Sequence, residues 1–167
     1  MGLRKHEIKH LHKVLEPYLN HEQSLKMKNF IQHGKTSTYE HCQEVAKMTM
    51  YLNRRMRLKG DEKTMLPAAF LHDLYLYDWH IPGPHNRWHG YTHADIAGDN
   101  AIRLFNINKH QESIIRTHMW PLNITRVPKT KEAWIVCIAD KIISTRETVH
   151  RKSKRVQEDI ASVVNNI

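Results

Sequence analysis

Residues 65–76 read MLPAAFLHDLYL, an apolar run interrupted by the dyad His72-Asp73. Met65, Ala68 and Ala69 precede His72 at offsets that share one face of a helix, so the histidine stands where a core residue belongs. Burying a histidine or a carboxylate is costly unless it is paired or bound to a metal ion. The stretch predicts a helix over about 61–76, with Pro67 in its first turn or marking a later start, that carries two titratable groups into an apolar interior.

The same pattern recurs elsewhere. His41 is followed by Val45, Met48 and Leu52 on one helical face, and His93 leads Ile96, Ala97 and Leu104. His118 trails Ile114 and Ile115, and Asp140 lies with Ala133, Val136, Cys137 and Ile143. A lone histidine on an apolar face is more often a hydrogen-bonded core residue than a ligand. Six inward polar residues on several helices would each need a separate buried partner, whereas one shared site accommodates them all.

The remaining sequence also reads as helix, with no convincing alternating run that would make a strand. A first helix is expected over residues 4–19, and a second over 22–33 that ends at Gly34 as a C-cap. The polar stretch Lys35 to Thr38 supplies an N-cap for a long helix reaching Arg57, which Gly60 closes. Residues 77–92, YDWHIPGPHNRWHGYT, form the single long break; loops of that length in a compact domain are usually functional or mobile. Thr92 with Asp95, and Asn108 with Gln111, look like capping pairs for the next two helices, and Thr130 starts the helix of Asp140. The expectation is an all-α, compact multi-helix bundle in a single domain over 1–167.

The order His41, His72-Asp73, His93, His118, Asp140 resembles that of the HD-domain superfamily of metal-dependent phosphohydrolases. The local contexts are similar as well: TYEHCQEVA around His41, AAFLHDLYLYDW around the dyad, HADIAGDNA from His93, IIRTHMWP around His118 and VCIADKI around Asp140. The resemblance covers about residues 36–146 and is to small, single-domain bacterial members with a six-ligand, two-metal arrangement. Some such relatives hydrolyse dinucleoside polyphosphates or cyclic dinucleotides. The dyad continues here as Leu74-Tyr75-Leu76 and lacks the HDIGK continuation usual in the cyclic-dinucleotide phosphodiesterases. Four-ligand members need only His41, His72, Asp73 and Asp140.

The resemblance implies that His41, His72, Asp73 and Asp140 surround a first ion, that His93 and His118 complete a second, and that Asp73 bridges them as the catalytic residue. Four imidazoles and two carboxylates suit Fe, Mn, Co, Ni or Zn better than Ca or Mg, which prefer all-oxygen shells. One or two divalent transition-metal ions per chain are expected, Fe or Mn foremost. Such ions lower the pKa of water and clamp phosphoryl oxygens. Arg87, Lys141 and Arg146 are candidate phosphate binders, arginine as a bidentate fork and lysine as a point charge. His89, with Tyr77, Trp79, His80, His85 and Trp88, would either stack on a nucleobase or cover the core beneath the loop.

The charge of +9 favours a small anionic partner, a phosphate-containing substrate such as a nucleotide. No apolar run approaches the roughly 18 residues of a membrane helix, and the N-terminus has no apolar segment of the secretory kind. Cys42 and Cys137 form no CxxC pair, and together these features set the expectation of a cytoplasmic protein with no membrane partner. Two alternatives share the pattern. One is a di-iron oxygenase with the same ligand order. The other is a basic nucleic-acid-binding or regulatory module using the run Arg151 to Arg155, although no recognisable nucleic-acid motif accompanies it.

Overall fold

Helix α4 (Glu62–Leu71) lies at the centre of the molecule, packed by helices α1 (Lys5–Leu19), α3 (Thr38–Arg55), α6 (Lys109–Thr117) and α7 (Lys131–Val164). The computed structural model describes residues 2–81 and 88–164. Every residue from Met65 to Leu71 is buried; a helix that is apolar all round can persist only if it is surrounded. The other described helices are α2 (Glu22–Lys26) and α5 (His89–Phe105), and α5 closes the bundle by packing on α6. The architecture is all-α, with one small two-stranded sheet.

Several ends follow from local chemistry. Ser37 caps α3 by accepting from the Glu40 amide while Glu40 accepts from the Ser37 amide, a reciprocal capping box. Asn108 and Gln111 repeat it at the start of α6. Asn106 ends α5 in the left-handed region at φ 49°, a conformation asparagine tolerates. Arg116 on α6 crosses α5 and donates to Asp95, Asp99 and Glu112. Gly98 leaves it room, since a Cβ there would stand 3.1 Å from the Arg116 side chain.

The structure corrects four sequence expectations. The helix expected over 22–33 stops at Lys26, continues as a 3-10 turn over Met27–Asn29, and gives way to strand β1 (Ile31–His33). That strand pairs antiparallel with β2 (Thr36–Ser37), so Gly34, at φ 66°, serves a hairpin turn and is not a helix cap. The dyad helix ends at Leu71, and His72 and Asp73 occupy the turn that follows, where the Tyr75 amide donates to the Asp73 carbonyl at 2.8 Å. Helix α5 starts at His89 with Trp88 as its cap, ahead of the expected Thr92.

Candidate metal centre

The end of α4 is what allows adjacent residues to serve one site. Consecutive side chains on a helix diverge by about 100°, but past the last helical residue the chain turns, and both His72 and Asp73 point inward. Asn100 on α5 fixes this turn by donating to the Leu74 carbonyl at 2.8 Å. His41 comes from the first turns of α3, His93 from α5, His118 from the residue that caps α6, and Asp140 from α7. All six are buried.

The ring nitrogens are sorted by their outer partners. Nδ1 of His72 donates to the Ala69 carbonyl at 2.8 Å, that of His93 to the His89 carbonyl at 2.7 Å, and that of His118 to the Ile115 carbonyl at 2.7 Å. Nδ1 of His41 contacts the Glu147 carboxylate at 3.0 Å. Carbonyl and carboxylate oxygens only accept, so the proton sits on Nδ1 and each Nε2 faces the centre, where it offers a lone pair or holds a second proton. This arrangement is the one that orients metal-ligating histidines.

The inner atoms converge accordingly. Asp73 Oδ2 lies 3.8 Å from His41 Nε2 and 3.4 Å from His72 Nε2, while Oδ1 lies 3.3 Å from His93 Nε2 and 3.5 Å from His118 Nε2. Asp140 Oδ1 lies 3.3 Å from His41 Nε2 and 3.7 Å from His72 Nε2. Three groups, His41-His72-Asp73, His72-His118-Asp140 and Asp73-His93-His118, hold their ligand atoms within 4.8 Å of one another. Nε2 of His72 and Oδ1 of Asp73 are buried yet complete no hydrogen bond, and buried polar atoms left in that state are costly. The Nε2 atoms of His93 and His118 stand 3.1 Å apart while both Nδ1 atoms are committed to carbonyls, so the two Nε2 atoms face one point that a cation would fit. The donor set therefore fits a divalent metal ion.

Electrostatics agree with the geometry. Burial alone would lower the His41 pKa, but Asp140 and Glu147 overcome it and push it up to about 10. Burial would lower His72 as well, but Asp73, Cys42 and Asp140 together raise it well above its ordinary value. Burial would raise the carboxyl groups, yet the imidazoles hold Asp73 and Asp140 well below the usual range. Fully buried His118, beside His72, is lowered to about 3 and is neutral, the form that binds metal. Without metal the carboxylates keep protons on two of the imidazoles, and those protons occupy the place a cation would take.

The expected substrate residues are placed differently from one another. Lys141 donates to Asp140 Oδ2 at 2.8 Å and to the His118 carbonyl at 3.1 Å, which puts its amine at the edge of the cluster. His89 stacks between Trp79 and His93, with centroids at 5.0 and 4.6 Å, and shares a 2.7 Å hydrogen bond with the Tyr77 hydroxyl. Arg146 donates to Glu44 on α3. Arg87 and His85 lie outside the described residues, as do the side chains of the Arg151 to Arg155 run.

Sequence reasoning missed three supports. Ser144 donates to Asp140 Oδ1 at 3.0 Å, and Glu147 holds His41. Both share a helical face with Asp140, one and two turns on, and that spacing was a usable signal. Gln32, which donates to Asp73 Oδ2 at 2.7 Å, gave none.

A bundle that brings four imidazoles and two carboxylates to one buried point defines a helical metal-binding domain. The family model of the HD domain matches residues 38–144, well over half of the chain, and the chain belongs to that family. The family lies within a superfamily of metal-dependent phosphohydrolases. No curated protein and no solved structure gives a significant match. Among the described residues no helix is long and apolar enough to cross a membrane.

Proposed function

We propose that the protein hydrolyses a nucleotide or related phosphate ester, with His41, His72, Asp73 and Asp140 holding one divalent transition-metal ion and Asp73, His93 and His118 a second. The observation that carries this reading is the division of Asp73: Oδ2 faces one pair of imidazoles and Oδ1 the other, as a bridging carboxylate requires. Divalent ions bound there would acidify water and neutralise charge on phosphoryl oxygens.

The chain's own residues supply the rest. Asp73 and Asp140 balance the cationic charge in a buried setting where unpaired charge is expensive. Lys141 keeps Asp140 oriented and presents a positive charge at the rim, where an anionic substrate would meet it. The aromatic layer of Tyr77, Trp79 and His89 covers His93 and limits water on that side. The net charge of +9 raises the local concentration of anions.

The test is phosphate release from a panel of nucleotides and phosphodiesters, with Mn or Fe supplied, run with and without oxygen. Release at equal rates in both atmospheres is the expected result. Oxygen uptake without phosphate release would replace this reading with the di-iron oxygenase.

A further inference from the structure

The hairpin that sequence analysis missed delivers a side chain to the centre. Ile31 pairs with Ser37 and His33 with Thr36, so Gln32 is an extra residue on β1 without a counterpart on β2, a β-bulge. Bulges re-aim side chains, and this one turns Gln32 inward until it is 7 % exposed. Its amide group donates to Asp73 Oδ2 at 2.7 Å. Because a carboxylate only accepts, the amide oxygen must face the other way, and there it accepts from the Tyr75 hydroxyl and, at 3.4 Å, from Thr38. Thr38 and Tyr75 are themselves 3.0 Å apart, and with the Tyr75 proton given to Gln32 the single Thr38 hydroxyl proton is shared between the Tyr75 and Gln32 oxygens behind Asp73.

We propose that Gln32, braced by Tyr75 and Thr38, is the positioning residue that fixes the rotation of Asp73, so that Oδ2 is held toward His41 and His72 and Oδ1 is presented to His93 and His118. A carboxylate with neither oxygen held can rotate about its Cβ–Cγ bond and lose the division between the two imidazole pairs. Gln32 makes the shortest of the described contacts to the Asp73 carboxylate, 2.7 Å against 3.3 Å or more from the imidazoles, and it engages one oxygen only. The inference rests on the metal-binding reading above.

The experiment compares the unaltered protein with Gln32→Met, Gln32→Ala, Tyr75→Phe and the Gln32→Met/Tyr75→Phe double variant. Each is stripped of metal and titrated with Mn(II), and separately with Zn(II), while circular dichroism follows folding. Methionine keeps the volume of glutamine and removes the donor, so it carries the test if the alanine variant folds poorly. Gln32→Met is expected to weaken binding of at least one ion by roughly tenfold or more, the usual range for losing an outer hydrogen bond to a ligand. Tyr75→Phe weakens it less, and adds nothing in the double variant because it acts through Gln32. Unchanged affinity in Gln32→Met, or a Tyr75→Phe effect that persists undiminished in the double variant, would overturn the inference while leaving metal binding intact. An unaltered protein that takes up neither metal would overturn both.

Discussion

Around Asp73, His41 and His72 are the two imidazoles whose carboxylate neighbours favour the protonated form at the point where a metal ion would sit. His41, raised to about 10, and His72, raised by Asp73, are imidazolium at neutral pH in the metal-free protein. A cation entering the cluster must expel those protons, since metal-ligating imidazoles are deprotonated on the bound nitrogen. Metal uptake at pH 7 is therefore expected to release about one to two protons per chain, measurable by titration calorimetry in buffers of different ionisation enthalpy. Affinity rises with pH by about tenfold per unit for each proton displaced, up to the His41 value. Uptake with no proton release would mean that His41 and His72 are not the ligands.

Among the elements, the short helix α6 carries His118 at one end and its cap at the other. Asn108→Ala removes the oxygen that accepts from the Gln111 amide, and a lost cap costs about 1 kcal/mol. Denaturant unfolding should show that loss with metal content unchanged, because the His118 end is held separately by α5 and Lys141. The caps at Ser37 and Asn108 were readable because their residue types and spacing are specific. The inward histidines were readable because apolar neighbours flank them at helical spacing. The end of α4 was not: residues 74–76 keep an apolar pattern, and only the turn at Asp73 and the positive φ of Leu76, 58°, show where the helix stops. The hairpin escaped because strands of three and two residues are too short for alternation to register, and a glycine with positive φ serves a turn and a helix end equally well. Gln32 was hidden with it.

For the molecule as a whole, one buried carboxylate ties the N-terminal helix to the bundle. Both oxygens of Glu7 accept from the Arg55 guanidinium at 2.9 Å, and Oε2 also accepts from the Arg4 amide at 2.7 Å. Arg55 foremost, and then the Arg4 amide, hold this carboxyl well below its usual range. The ionised form is the stabilising one, so its contribution is complete above the ordinary value of 4.5 and disappears as pH falls toward the lower folded value. Glu7→Gln should melt at a lower temperature than the unaltered protein at pH 7, with the gap narrowing as pH drops below 4.5; a gap independent of pH would show that the ion pair is not its source. Everything assigned to the centre, by contrast, depends on whether the six converging side chains hold metal. The decisive observation is the metal content per chain of protein purified without chelators, set beside that of Asp73→Ala with its helical fold verified. One or two divalent transition-metal ions per chain, lost in the variant, are expected; a protein that carries none and takes up none on titration, or a variant that retains the full complement, would contradict the metal centre described here.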